Sequence, residues 1–214
     1  MSKKLVWGSI VMMLVLVLVT ACGGKEKKVV DVGTTDKGTY TNEYFGVSLQ
    51  FPQEWVVQDQ AAMEELNKAG IEAIAGDDAK KEKALDLSQL KTVNLLMTSK
   101  LPMDGASLSP SIISNAEKLS MLQGIKTGKD YLTSAQKIMV DANLPYEFKE
   151  ITSVKVGGKD FDVLEATVSN GELVITQHYY SAIMEGYSFN LITTSYDDES
   201  KAEIDKIIGS VTFK

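Results

Sequence analysis

The 214 residues contain no arginine, so all 22 basic side chains are lysine. Arginine is the side chain best suited to bidentate phosphate and base-edge contacts. With 29 acidic residues the chain carries a net charge of −7. An acidic chain without arginine makes a poor nucleic-acid binder, because that binding is driven largely by cations neutralising phosphates. There is one cysteine, Cys22, which excludes an internal disulfide and every zinc site built on clustered thiolates. There is one histidine, His178, so any imidazole-based chemistry must centre there. No phosphate-cradling glycine loop occurs. Gly157-Gly158 reads as a turn. No cofactor and no metal are expected.

What is present begins with one apolar run. Lys3 and Lys4 precede a stretch from Leu5 to Val19 that is almost wholly apolar, followed by Thr20-Ala21-Cys22. The run has the length of a signal-peptide core and is short of the roughly 20 residues a spanning helix needs. Val19-Thr20-Ala21-Cys22 resembles the lipobox of bacterial lipoproteins. The resemblance implies cleavage before Cys22 and diacylation of its thiol, and two acyl chains hold a protein stably where one does not. The mature chain then has 20 lysines against 29 acids, or −9. An anionic leaflet repels such a chain, so the lipid must do the anchoring. The expected organisation is a signal peptide at 1–21, a lipidated tether at 22–38, shortened if Val29, Val30 and Val32 add an edge strand, and a globular domain at 39–214. The expected location is the outer face of the cytoplasmic membrane.

In the globular part, hydrophobic period and turn residues mark the elements. Residues 40–51 alternate as a hairpin that Pro52 ends, and Trp55 reads as a core plug. Residues 60–75 look helical with Asp59 as N-cap, Met63, Leu66, Gly70 and Ala73 sharing a face, and Gly76 stopping the helix. Residues 92–98 read as a strand, 99–111 as a loop and 112–119 as a strand. A second helix spans 127–142, with Thr127 and Asp130 as a capping box and Tyr131, Leu132, Ala135, Ile138, Met139 and Ala142 on its apolar stripe. From 151 the pattern turns to strands at 151–156, 159–168, 173–184 and 187–194. Their turns are Gly157-Gly158, Asn170-Gly171 and Glu185-Gly186. Asp197, Asp198 and Glu199 open a last helix with Ile204, Ile207 and Ile208 on one face. The class is α+β: helices flanking an antiparallel sheet.

Phe51-Pro52-Gln53-Glu54-Trp55 after a short hairpin is similar to the opening of PsbP-like domains. Gln177-His178-Tyr179-Tyr180 in a long meander, then Gly186-Tyr187 and an acidic-capped helix, resembles their end. The resemblance covers about residues 39–214 and implies an α/β/α sandwich. It also implies a non-catalytic binding or assembly module; for a tethered module of that kind the partner expected is another envelope protein. Fold does not imply function, so the plant protein's photosynthetic role does not follow.

Three functional readings arise from the residues. A tethered assembly module would use an exposed patch, and Leu101, Met103 and Leu108 in the 99–111 loop are the candidates, since long loops are often functional and methionine suits adaptable surfaces. A small-molecule binder would need an apolar pocket between helix and sheet. A hydrolase would need a nucleophile and an orienting acid beside His178. A histidine bonded within the sheet is the bland alternative to the last. Asp160 with Asp162 reads as a solvated strand face, and no acidic pair has calcium-loop spacing. Oligomeric state is not legible.

Overall fold

The computed structural model describes residues 30–103, 108–171 and 173–214. Cys22 and the signal segment lie outside the described residues. In chain order the elements are β1 (Thr34–Asp36), β2 (Thr39–Asn42), β3 (Val47–Gln50), β4 (Val56–Val57), α1 (Gln60–Ala75), α2 (Ala79–Gln89), β5 (Thr92–Ser99) and β6 (Ser111–Lys118). A 3-10 turn (Met121–Gln123) leads to α3 (Gly128–Asp141), β7 (Glu147–Phe148), β8 (Thr152–Val156), β9 (Lys159–Asn170), β10 (Leu173–Met184), β11 (Tyr187–Ser195), α4 (Asp198–Gly209) and β12 (Thr212–Phe213). The α+β class expected from the pattern is what the structure has.

The main sheet runs β4-β5-β6-β11-β10-β9-β7, with β8 also on β9; a small sheet runs β1-β2-β3-β12. Every pairing is antiparallel. Side chains alternate across a strand, so each strand of the main sheet feeds two faces. On one face Ile112, Ala116, Phe161, Phe189 and Leu191 pack with Tyr40, Leu49 and Trp55 and with Ile204 and Ile207 of α4. Each large apolar side chain buried there contributes roughly 1.5–3 kcal/mol. Trp55 is 4% exposed and donates its indole N–H to Glu203 Oε1 at 3.3 Å, as a core plug should.

On the other face Leu164 meets Leu132 and Met139 of α3, and Tyr179 packs against them. Glu117 on β6 places α2 and α3 on this same side. Its carboxylate accepts Ser88 Oγ from α2 and Tyr131 Oη from α3, each at 3.0 Å. Helices therefore cover both faces.

The first turn of α3 is seated tightly. A Cβ on Gly128 would stand 2.1 Å from the Ser181 carbonyl oxygen, so only glycine allows this approach. Asp162 Oδ2 accepts the Lys129 backbone N–H at 2.7 Å, and its Oδ1 accepts Ser153 Oγ. Asp162 thus serves the helix N-terminus, which corrects its reading as a solvated strand residue; Asp160 does face water, paired with Lys155. The expected capping box forms, Thr127 Oγ1 accepting from Asp130 N at 3.1 Å.

Three further expectations need correction. Residues 30–38, assigned to the tether, are folded: β1 pairs with β2, Val30 packs on the core, Tyr40 Oη donates to the Val32 carbonyl and Asn42 Nδ2 to that of Asp31. All three β1 residues are exposed, so no apolar period marked the strand. In α1 the inward face is Met63 with Leu66, Asn67, Ile71 and Ile74, while Gly70 is exposed with nothing within 4 Å of a Cβ. No element was expected at 79–89, where α2 stands. It buries none of its residues, so it lacks the stripe by which such a helix is read.

Candidate functional site

The lower half of α3 and the sheet beneath it enclose a cavity of about 300 Å³. α3 contributes Tyr131, Leu132, Ala135, Ile138 and Met139, and Leu144 and Tyr146 follow from the segment after it. The floor includes Tyr179, Asn190 and Ile192, and Ile74 of α1 closes one side. The register explains the floor: Tyr179 lies opposite Ile192, and Asn190 opposite Asn115. The volume is at the lower end of the roughly 300–1,000 Å³ typical of small-molecule sites.

Most polar atoms of the wall are already hydrogen-bonded within the protein. Tyr146 Oη and Tyr179 Oη both donate to Gln177 Oε1, at 2.9 and 2.6 Å. Asn190 Nδ2 donates to Asn115 Oδ1 at 2.9 Å, while Asn190 Oδ1 accepts Ser188 Oγ, itself 2.9 Å from Ser181 Oγ. Burial raises the phenol pKa of Tyr131 and of Tyr179. The wall is therefore uncharged near neutrality, and most of its donors are committed. Such a slot suits an apolar guest, because a polar guest would have to break wall hydrogen bonds.

Ile74 and Ile138 also line a second hollow of about 750 Å³, between α2 and the end of α3, so the two spaces abut at this isoleucine pair. Ile138 remains 43% exposed.

His178 sits elsewhere. It is on β10, opposite Glu165 in register, and its Nε2 is 3.4 Å from Glu165 Oε2. Lys149 Nζ holds the same carboxylate at 2.7 Å. Desolvation lowers the imidazole pKa below its usual value, and the Glu165 charge partly opposes this. Thr152 shares the surrounding hollow. Among the described residues no hydroxyl is hydrogen-bonded to His178, and the arrangement matches a histidine partnered within the sheet.

The 99–111 loop spans residues 100–110. Its neck is tied by Leu101 N to Ser109 Oγ at 2.8 Å and Lys100 N to the Pro110 carbonyl at 3.1 Å. Leu101 is 44% exposed, and Met103 and Leu108 are half-buried. Lys100 bridges the loop to α4 through Glu203 and Glu199, at 3.1 and 3.6 Å. Sequence reasoning raised a pocket between helix and sheet but could not name its lining, which is scattered from Ile74 to Ile192. The α3 stripe was the one local sign of it.

No family model matches the chain, and no curated protein matches it. Solved structures are similar in outline. A protein of Bacteroides thetaiotaomicron is 11% identical over 79% of this chain, with a TM-score of 0.43; the chain spans 45% of that protein. LpqN of Mycobacterium tuberculosis, involved in cell envelope biogenesis, is 16% identical over 78% of this chain and 83% of its own, with a TM-score of 0.39. The cyanobacterial PsbP of Synechocystis sp. PCC 6803 is 12% identical over 92% of this chain and 99% of its own, with a TM-score of 0.49.

Proposed function

We propose that this chain is a lipid-anchored, non-catalytic binding module of the cell envelope, and that the slot between α3 and the main sheet holds an apolar small molecule. The observation that carries the ligand class is the wall itself: aliphatic and aromatic side chains whose polar atoms are mostly paired already. The abutting hollow beyond Ile74 and Ile138 favours an elongated guest. The lipobox around Cys22 supports the anchor and the outer face of the membrane.

The test is a titration with a hydrocarbon dye such as N-phenyl-1-naphthylamine. Wild type is expected to bind it saturably, one per chain. Ala135→Phe fills the slot and is expected to abolish that binding with little change in melting temperature. Equal binding by both proteins sinks the ligand reading. For the anchor, Cys22→Ser is expected to lose incorporation of a fatty-acid analogue and cleavage of the signal segment, and equal labelling of variant and wild type rejects it.

A second reading, assembly with another envelope protein, is favoured by one observation. Leu101 keeps its side chain 44% exposed while its backbone is pinned on both sides. Leu101, Met103 and Leu108 would then be the contact.

A further inference from the structure

Two of the most exposed apolar side chains in the described residues are neighbours. Met121 and Leu122 are fully exposed, at 101% and 99%. They form the tip of the 3-10 turn between β6 and α3. The turn is not slack: Ser120 N–H donates to Gln123 Oε1 at 2.6 Å, and Gly124 closes it with a φ of +69°. An ordered turn that presents two adjacent apolar side chains to water incurs a solvation cost that the core does not recover.

The tip lies at the end of the molecule where the chain enters the fold. The Asp31 carbonyl accepts Asn42 Nδ2 at 2.8 Å, and Asn42 Oδ1 accepts the Phe45 N–H at 3.0 Å. The Phe45 ring is 5.9 Å from that of Tyr187, and Tyr187 pairs in register with Lys118. Leu119 N–H then donates to the Gly186 carbonyl at 3.0 Å, two residues before Met121. The β2–β3 turn, the β10–β11 turn and the apolar tip therefore share one end. The 100–110 loop joins the opposite ends of β5 and β6.

Seven residues lie between Cys22 and Val30, and the eight steps reach roughly 26–29 Å at full extension. A lipid on Cys22 is therefore attached nearer to this end than to the 100–110 end. Lys118 and Lys126 flank the tip, both exposed, with no ion pair among the described residues. Tyr44 and Tyr187 stand behind it, and tyrosine is a side chain of membrane interfaces. Glu43 and Glu185 are exposed at the same end, so the rim is mixed in charge and only the tip itself is a wedge.

We infer that Met121 and Leu122 insert into the outer surface of the lipid bilayer and fix the domain's orientation. This rests on the lipid-anchor reading above. The diacyl anchor supplies the affinity, and the tip supplies the posture.

The experiment uses the lipidated chain in vesicles of phosphatidylethanolamine and phosphatidylglycerol. Cys22 is acylated, so Met121→Cys, Leu122→Cys or Leu101→Cys each provides a single free thiol for an environment-sensitive fluorophore. Nitroxide-bearing lipids are expected to quench the labels at 121 and 122 at least twofold more than the label at 101. If the chain floats with vesicles but all three labels are quenched alike, the insertion is refuted while the anchor stands. If the chain does not float, the anchor reading falls and the insertion falls with it. If the label at 122 is shielded from aqueous quencher in native membranes but not in pure lipid vesicles, the tip belongs to a protein partner and the proposal is overturned.

Discussion

Gly128 shows how much a single missing side chain can decide. The first turn of α3 rests on the β10 backbone at Ser181, and the obstacle to a larger residue is a carbonyl oxygen that cannot rotate away. Gly128→Ala is expected to cost about 3 kcal/mol, the upper range for overpacking. Gly70→Ala in the exposed middle of α1 meets nothing and is expected to gain about 0.5–1 kcal/mol. Urea denaturation of both variants checks the pair, and equal effects refute the seating of α3. His178 sets a pH dependence. Burial makes the folded chain hold the proton less tightly than the unfolded chain, whose histidine titrates near pH 6.5. As pH falls through that value the unfolded state binds more protons, so stability declines, and the decline ends below the folded value. Stability of His178→Gln is expected to be flatter with pH in that window, and an unchanged slope contradicts the assignment. The sequence made Trp55, Thr127 and Asp59 legible because capping and strand-end chemistry are local. Asp162 was not legible, because the helix it serves lies 33 residues away in sequence.

Elements with a strong period were readable. The pattern placed a helix at 60–75 where α1 stands, and the Gly-containing turns separated the long strands of the meander. Helix α2 had no period to read: it buries nothing and is tied to the sheet by Ser88 on Glu117. Strand β1 is held by backbone pairing and by the reach of Tyr40 and Asn42, none of which is written in its own three residues. The 100–110 loop is a pinned neck bearing a partly exposed leucine. Leu101, Met103 and Leu108 changed together to serine test its role. As a contact surface, the variant is expected to keep its melting temperature and lose its crosslinks to envelope partners in cells. A lowered melting temperature instead makes these side chains a cap on the core, and no change in either measurement removes the loop from consideration.

The molecule as a whole is polar in the geometric sense. One end carries the chain's entry, the β2–β3 turn and the Met121-Leu122 tip; the other carries the 100–110 loop bound to α4 through Lys100. Between them the slot under α3 opens beside Ile138, on the sheet face away from the small sheet and α4. Under the proposed function, an anchored module with this layout holds its apolar molecule above the membrane surface and presents its far end to a partner. The central claim is the occupant of the slot. Native mass spectrometry of the chain purified from its own membranes, followed by organic extraction, measures it directly. One apolar molecule per wild-type chain is expected, with none on Ala135→Phe despite unchanged folding and membrane association. A wild-type chain that arrives empty and takes up no hydrocarbon dye contradicts the account.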